Sequence, residues 1–553
     1  MGGTAPTSAA PVRPTDPTDV APSRGARRAR QAPYSGADLG LMAVLCAATA
    51  LYLVALPRNL SAADESVYLY EAKRVFEGQV LYRDVFEITT PGWIYLMAAL
   101  FRLFGVSLGT ARVAMAVLHG LTAAALYATA RHFGVRAVFA WLPALAYVVV
   151  CQPAWPIASQ HWLGTFLAAL LLLRCASLPS ARVSWAIVPG LLIGLMIAVH
   201  QQRGVCVGAG VFLWLIADAL LRRRDAREPR APLFGQLAAL IGGAALVVVP
   251  MCVWIVVQAG FDPVWKALVI HPLFNYRSFS HAAWGKRGGL LTEQGSYTFP
   301  LLLKYLPLIL LIDLARLGRL WIRRHESETA RRLALLILFG LTSMLSIAYF
   351  PDFIHIAFVA PVFFIAIAEG IEAAARVVVG RSPAWRVAGW AAALVVLAAG
   401  GVRLHDNLVR GRAAFAISRD TAFGRVDWAT PFEARLYDTM RDLMRDRQPH
   451  ELFCYPIISS LYLTLDADNP TRFQFLLPAY SGPAQMQEVV DTLERRQLPY
   501  IVALTGFVPA DDPVVVYLRR EYEPVVEAGD VGQAIFRRKA GVAPAAEPPA
   551  NGT

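Results

Sequence analysis

Residues 235–258 read GQLAALIGGAALVVVPMCVWIVVQ, a run that contains no Asp, Glu, Lys, Arg or His. A helix needs about 20 predominantly apolar residues to cross the ~30 Å hydrocarbon core of a bilayer. Blocks of this length recur along the chain, whereas a soluble protein shows apolar residues at a period of 2 or 3.6. Of the 553 residues, 56% are apolar and 17% are charged. The sequence therefore predicts a polytopic α-helical membrane protein.

The blocks predict about eleven membrane-spanning helices within a transmembrane domain at residues 38–403. Residues 1–37 and 541–553 are expected to be disordered tails, since they lack an apolar core. Residues 404–540 mix charged helical stretches with short apolar runs and are expected to form a small α/β domain. The predicted spans lie near residues 38–56, 108–130, 136–152, 161–178, 184–200, 204–221, 235–258, 299–317, 332–350, 353–378 and 385–403.

The positive charge is distributed in a way that indicates topology. The net charge is +12, and much of it lies in loops 222–234 and 316–332 and in the turn 131–136. Cytoplasmic loops carry an excess of Lys and Arg, so these three loops and the N-terminus are predicted to be cytoplasmic. The loops at 57–107 and 259–298, and everything after 404, are then extracytoplasmic. This distribution favours the bilayer of a bacterial inner membrane, and not nucleic acid, as the partner of the basic residues.

The first outside loop begins with SAADESVYLYEAKRVFEG at residues 61–78. Its apolar residues repeat at i, i+1, i+4, i+7 and i+8, which is typical of an amphipathic helix. The helix is too short to span and is expected to lie in the membrane interface. Asp64 and Glu65 then lie at its N-terminus, at the membrane surface. Ser61 followed by Asp64 is also the pattern of a capping box, which is the structural alternative for this acid.

Further motifs follow in a fixed order. A second acid pair, Asp84 and Glu87, lies in the same loop, and short motifs lead into the next span: Gly-x-x-Leu-Tyr-Arg-Asp at 78–84, Pro-Gly at 91–92, Leu-Phe-Gly-x-Ser at 103–107 and Ala-Arg at 111–112. Together with Asp-Glu at a helix start, this order resembles the GT-C glycosyltransferases of the protein-mannosyltransferase and aminoarabinose-transferase type. The match is dense over residues 38–205 and looser beyond, where Pro-Asp-Phe-Ile-His at 351–355 and the terminal domain are similar.

The resemblance implies an activity. Such enzymes take a sugar from a polyprenyl-phosphate carrier at the outer face and transfer it, with inversion, to a glycolipid, polysaccharide or protein acceptor. Asp64 matches the first-loop acid of the family and is expected to act as general base on the acceptor hydroxyl. Glu65 and Asp84 are the other candidate catalytic residues.

The leaving group in this reaction is a phosphate, so the site is expected to need cations that stabilise the developing negative charge. Arginine is well suited to contact phosphate oxygens in pairs. Each candidate also has an alternative explanation that involves no function. A polar residue can simply be solvated in a loop, a cation can snorkel to the membrane surface, and an acid at a helix start can be a helix cap. The candidates predicted to lie on the same side as the acids are Gln160, His161, Arg203, Lys266, Arg277, Lys286, Arg287, Asp352 and His355.

The sequence departs from the family pattern at two places. The aminoarabinose transferases carry another acid at the outer start of the fourth span, where this chain reads Ser-Gln-His-Trp at 159–162. They also carry Lys-Pro where this chain has Thr90-Pro91. Either Asp84 takes the role of the second acid, or His161 substitutes for it, or the substrate differs. The sugar and a dependence on a divalent cation stay open, and no metal-ligand spacing is evident.

Two alternative functions belong to other classes. A transporter or flippase for a lipid-linked substrate would place ionisable residues near the middle of its spans. Here the acids concentrate in an outside loop, which favours chemistry at the surface. The second alternative is a degenerate GT-C protein that acts in assembly, and the acids adjacent to Asp64 argue against it.

Overall fold

The computed structural model describes residues 34–61, 64–179, 182–223, 232–275, 282–286, 300–323, 327–379, 383–477, 480–528 and 533–540. The N-terminal part is mainly helical. Its helices are Gly36–Val54, Asp64–Phe76, Gly92–Phe104, Leu108–His132, Ala137–Ala140, Leu142–Ala146, Gln160–Ala176, Ile187–Val199 and Gln201–Arg223. The next group comprises Leu233–Ala259, Phe261–Trp265, Pro300–Tyr305, Ile309–Arg323, Ser327–Leu345, Phe353–Val359, Pro361–Val379 and Pro383–Ala414.

Within the described residues, six helices are long and apolar enough to cross a membrane. A seventh span results if Phe353–Val359 and Pro361–Val377, which meet at 58°, are counted as one. The protein is therefore a multi-pass membrane protein, but the predicted number of about eleven spans is not confirmed. The six are Gly36–Val54, Leu108–His132, Ala137–Ala154, Gln201–Arg222, Leu233–Ala259 and Val387–Ala414.

The remaining predicted spans are helical but short, broken or charged. The helix Gln160–Ala176 has 17 residues, and the helix Ile187–Val199 has 13 residues after a 3-10 turn. A second 3-10 turn at Leu306–Leu308 interrupts the segment predicted at 299–317. Charged residues occupy the first turns of Ser327–Leu345. A count of apolar residues does not register such breaks, because proline and turn geometry act on the backbone and leave hydropathy unchanged.

Two close helix contacts are possible because of glycines. A Cβ atom on Gly190 would come within 2.3 Å of the Leu240 carbonyl oxygen, and one on Gly120 within 2.5 Å of the Cys46 carbonyl oxygen. In a bilayer, helices associate through such close backbone approach, since apolar side chains gain nothing by leaving lipid. Gly190 and Gly120 thereby allow the close packing of the two helix pairs that contain these contacts.

The C-terminal region contains the strands of the protein. Strands β1 (Ile417–Thr421) and β2 (Gly424–Trp428) form a hairpin, and β3 (Phe453–Tyr455), β4 (Tyr500–Leu504), β5 (Tyr522–Ala528) and β6 (Gln533–Arg538) form a sheet in the order β3-β4-β6-β5. The β3–β4 pair is parallel and the other pairs are antiparallel. The sheet region begins at Ile417 and not at 404, because the last apolar helix continues to Ala414. Its helices are Pro431–Met444, Ser460–Thr464, Pro483–Arg496 and Pro513–Glu521.

The first-loop helix, Asp64–Phe76, lies between the membrane helices and this C-terminal region. Tyr70 stacks on Tyr462 with ring centroids 4.6 Å apart, and its hydroxyl accepts a 2.7 Å hydrogen bond from the Asn469 amide. Lys73 forms a 2.9 Å ion pair with Asp466. Of the predicted apolar stripe, Leu69 and Ala72 are buried and Phe76 is exposed. The opposite face is covered by residues far away in sequence, and the position of the helix in the membrane interface stays a prediction.

Candidate active site

A cavity of about 730 Å³ lies where the first-loop helix, the following loop and several membrane helices meet. The C-terminal region completes it with Phe475 and Tyr480. The wall combines acids, imidazoles, amides and aromatic rings, which is the composition that sugar binding requires. The other lining residues are Asp64, Val67, Tyr68, Glu87, Ile88, Thr89, Gln160, His161, His200, Gln201, Gln202, Pro272, Leu273, Ala348, Tyr349, Phe350 and His355.

Asp64 is the first residue of its helix and faces this cavity, half-buried. Desolvation by the surrounding protein raises the pKa of its carboxyl, and Asp352 raises it further, while His355 opposes both. A carboxylate with a raised pKa binds a proton more readily than an ordinary aspartate. Asp64 therefore has the position and the basicity that a general base needs.

The imidazole of His355 is held by a buried aspartate. Asp352 precedes the helix Phe353–Val359, and its Oδ1 accepts hydrogen bonds from the His355 backbone amide at 2.8 Å and from His355 Nδ1 at 2.7 Å. Because Nδ1 is occupied in this way, Nε2 is the ring nitrogen left for the cavity. The arrangement fixes both the ring orientation and the tautomer of His355.

Two more imidazoles lie beside His355. The ring centroid of His161 is 5.2 Å from that of His355 and 4.8 Å from that of His200. His161 is also stacked on Phe358 at 4.5 Å, with the two rings almost parallel. These three imidazoles, of which His161 contacts the other two, provide donors and acceptors that do not need a fixed negative charge. His161 thus lies in the cavity wall.

The loop after the first-loop helix is fastened to the membrane helices by hydrogen bonds. Glu87 Oε1 accepts the amides of Ile88 at 2.8 Å and Thr89 at 2.7 Å. Thr89 Oγ1 donates to Gln160 Oε1 at 3.1 Å, and Gln160 Nε2 donates to the Tyr68 hydroxyl at 3.3 Å. Gln160 is therefore held rigidly between the loop and the first-loop helix, at the cavity wall.

Glu71 and Glu87 form a buried pair of carboxyl groups that the sequence analysis did not identify. Glu71 is 1% exposed and Glu87 is 6% exposed. Desolvation raises the pKa of both, and for Glu71 the adjacent Glu87 carboxylate raises the pKa further. A protonated Glu71 donates to Glu87, whose carboxylate in turn accepts the two loop amides. The pair retains a proton at a pH at which exposed glutamates have lost theirs.

Glu71→Gln is expected to stabilise the protein at alkaline pH. In the unfolded chain Glu71 ionises near its ordinary pKa of about 4.3, so wild-type stability falls as pH rises toward the raised folded-state pKa. Glutamine keeps the donor without this cost. The variant is therefore expected to be more stable than wild type at pH 8, with a smaller gain at pH 5. Unfolding curves at pH 5 and pH 8 measure the difference. Equal curves for Glu71→Gln and wild type at pH 8 would show that Glu71 is not protonated.

Glu65 is turned away from the cavity, although it adjoins Asp64. Its Oε1 contacts a guanidinium nitrogen of Arg112 at 2.6 Å and accepts the Ala158 amide at 2.7 Å. Its Oε2 accepts the Ser61 amide at 3.3 Å. The carboxylate that receives the Ser61 amide is thus that of Glu65, and not that of Asp64 as in the capping alternative. Glu65 anchors the first-loop helix to its surroundings.

The other predicted site residues take different places. Asp84 pairs with Arg83 at 2.9 Å outside the cavity, and Arg83 lowers the pKa of its carboxyl. Arg203 is buried below the cavity wall, where it donates to the carbonyl oxygens of His161 at 3.1 Å and Phe358 at 2.7 Å. Arg203 therefore supports two of the elements that form the cavity and is not among its lining residues.

The predicted cations of the second long loop are only partly described. Lys266 is exposed and pairs with Asp262 at 2.8 Å. Lys286 is exposed, and its carbonyl accepts the Phe353 amide at 3.1 Å, next to Asp352. Arg277 and Arg287 lie outside the described residues. Lys286 is thus the described cation of this loop that adjoins the helix bearing His355.

Several lining residues were not selected from the sequence. His200 was visible beside Arg203 in the segment His-Gln-Gln-Arg, but nothing in the segment indicated an imidazole cluster. Tyr349 and Tyr480 come from regions where aromatic residues are too frequent to stand out. Among the residues that the structure describes, no group of three or more His, Cys, Asp or Glu side chains could hold a metal ion. These side chains therefore offer no ligand set for the divalent cation that the family pattern left open.

No protein-family model matches the sequence, and a comparison with curated proteins gives no match. Two solved structures of ArnT from Cupriavidus metallidurans do match, one bound to undecaprenyl phosphate at a TM-score of 0.54 and one in the apo state at 0.53. Each is 16% identical to this chain, and the match covers 91% of this chain and 98% of ArnT. At this identity the likeness concerns the fold. The chain therefore has the GT-C fold of ArnT, which confirms the fold that the first-loop motifs indicated.

Proposed function

We propose that the protein is an inverting glycosyltransferase that takes a sugar from a polyprenyl-phosphate carrier and passes it to an acceptor hydroxyl. The observation that carries the proposal is Asp64, a carboxylate of raised pKa that faces a cavity of about 730 Å³ lined by polar and aromatic groups. The shared fold supports it, because an ArnT structure holds undecaprenyl phosphate. A carrier of that kind fits a cavity that adjoins membrane-spanning helices.

The reaction assigns a role to Asp64. The acceptor oxygen attacks the anomeric carbon while its proton passes to the Asp64 carboxylate. The bond between the anomeric carbon and the phosphate oxygen breaks, and the polyprenyl phosphate leaves with the electron pair. Attack from the face opposite the leaving group inverts the anomeric configuration. General-base assistance of this kind contributes about 10²–10⁴-fold to a rate.

The histidine cluster is placed to receive the leaving phosphate. The rings of His161 and His200 can donate to phosphate oxygens as negative charge develops there, and such positioned donors are worth about 10²–10³-fold each. The ring of His355, held by Asp352 through Nδ1, lies beside that of His161. In this chain the imidazoles, in place of an arginine, contact the phosphate.

The membrane setting follows from the topology signal. With the Arg-rich loops in the cytoplasm of a bacterial cell, the cavity opens at the outer face of the inner membrane. The acceptor is a glycolipid, polysaccharide or protein that reaches this face. Phe475 and Tyr480 contribute to the wall from the C-terminal region, so this region takes part in selecting the acceptor.

The test is an assay of purified full-length protein in lipid vesicles with a panel of undecaprenyl-phosphate sugars and a membrane extract as acceptor. Transfer of one radiolabelled sugar, with release of undecaprenyl phosphate, is expected. A transporter would instead move the intact labelled carrier across the vesicle without cleaving it. Failure to cleave any donor, together with failure to bind undecaprenyl phosphate, would overturn the proposal. Binding without cleavage in extracts from several sources would equally overturn it: movement of the carrier across the vesicle would then indicate the transporter, and its absence the degenerate alternative.

A further inference from the structure

A second cavity lies between the first helix, Gly36–Val54, the helix Leu108–His132 and the last apolar helix, Pro383–Ala414. It has a volume of about 90 Å³, is partly open, and shares no lining residue with the catalytic cavity. A single water needs about 10–15 Å³ on such a measure, so this space suits roughly six to nine heavy atoms. Its apolar wall includes Tyr52, Leu53, Leu56, Met115, Ile157 and Phe415.

Asn407 is the feature that points to a ligand. Its side chain lines the cavity and is 3% exposed, yet neither its amide oxygen nor its amide nitrogen has a hydrogen-bond partner in the part of the chain that the structure describes. A buried polar group without partners costs about 1–3 kcal/mol. The amide can both donate and accept, so a hydroxyl group, which also does both, is its natural complement.

The charge balance favours a neutral ligand, although the buried Arg112 Nε of this wall has no hydrogen-bond partner among the described residues. Arg112 is the charged residue of this wall, and Glu65 already neutralises it through contacts of 2.6 Å and 3.0 Å. A further charge in this apolar space would be left without a partner, at a large desolvation cost. The group bound next to Asn407 is therefore neutral.

The position of the cavity indicates where its ligand comes from. The two flanking helices lie at the edge of the bundle, where Leu51 is 72% exposed and Val402 is 71% exposed. In a multi-pass protein these side chains face lipid. A molecule of the bilayer can therefore insert between the helices with its chain outside and its headgroup in the cavity.

We propose that this cavity binds the glycerol headgroup of a neutral acylglycerol from the bilayer, with a headgroup hydroxyl hydrogen-bonded to the Asn407 amide. The three carbon and three oxygen atoms of glycerol match the space available. The bound lipid fills the gap between the first and last apolar helices and supplies the partners that the buried amide lacks. The site is independent of the carrier site.

Native mass spectrometry and thermal unfolding of the full-length protein, with 1-oleoylglycerol as probe, test the proposal. Wild type is expected to bind one molecule and to unfold at a higher temperature with the probe. Loss of one or two hydrogen bonds costs about tenfold in affinity. Methyl oleate, which lacks the hydroxyl groups, and 1-oleoyl-glycerol-3-phosphate, which is charged, should each bind at least about tenfold more weakly.

Two variants and one control locate the site. Asn407→Leu is expected to weaken binding of 1-oleoylglycerol about tenfold and to raise the unfolding temperature without the probe, since the orphaned amide is gone. Leu56→Trp fills the cavity from its edge and should abolish binding even if Asn407→Leu fails to fold. Val409→Leu, on the outward face of the same helix, should change neither quantity. No binding to wild type would mean that the cavity holds water only, and equal binding of methyl oleate would mean that the headgroup hydroxyls are not recognised. Either result would overturn the proposal, as would unchanged affinity in Leu56→Trp.

Discussion

Replacing Asp64 by Asn is expected to abolish sugar transfer while leaving the protein folded. An amide cannot take the proton of the acceptor hydroxyl, so the rate should fall by about 10²–10⁴-fold. Stability should be equal to or greater than that of wild type, because desolvation raises the pKa of Asp64 and a neutral side chain does not bear that cost at neutral pH. Activity and unfolding temperature, measured on the same vesicle preparation, separate the two effects.

Asp442→Asn is the matched control, since Asp442 is 56% exposed on a C-terminal helix and pairs with Arg445. Its activity should equal that of wild type. The wild-type rate should also decline as pH falls through the raised pKa of Asp64, because only the ionised carboxylate accepts a proton. Full activity of Asp64→Asn, or a collapse of its fold, would show that the base lies elsewhere.

Replacing Glu65 by Ala is expected to cause a large loss of stability, whereas Asp64→Asn is expected to lose activity and keep its stability. The Glu65 side chain is fully buried and the Arg112 side chain is 15% exposed, and they form a 2.6 Å ion pair. Removing one partner leaves a charge without compensation and costs about 3–5 kcal/mol. The Ala158 amide also loses its acceptor. Size-exclusion profiles and unfolding temperatures in detergent report the loss.

The double variant Glu65→Met with Arg112→Met is the control for this reading. It removes both charges together, so it should recover part of the stability that Glu65→Ala loses. If Glu65→Ala instead kept wild-type stability and lost transfer, Glu65 would act in the reaction and would not be an anchor.

The contrast between these neighbouring acids shows the limit of sequence reasoning. Successive residues of a helix point about 100° apart, so Asp64 and Glu65 must face different surroundings. The sequence predicted the helix and the importance of its start, and Asp64 does line the cavity. The direction of each side chain depends on Arg112, in another element, which no local pattern reveals.

Contacts between residues far apart in sequence also explain the features that could not be predicted from the sequence. The apolar stripe of the first-loop helix predicted one buried face, but Tyr70 and Lys73 are buried by partners in the C-terminal region. The Glu71–Glu87 pair exists only when the loop folds back on that helix. The GT-C fold was indicated by the resemblance of the first-loop motifs to those of a known family. Cavities are made by contacts across the chain and were not predictable.

The burial of the first-loop helix between two regions limits how the protein can be divided or recombined. The helix that carries Asp64 obtains partners for Tyr70 and Lys73 from the C-terminal region, so a chain cut after Ala414 would leave these side chains unpaired and the cavity without Phe475 and Tyr480. An exchange of acceptor specificity by grafting another C-terminal region would need matched changes on the helix. Substitutions in the first-loop helix and in the C-terminal region that covers it are therefore expected to accompany each other.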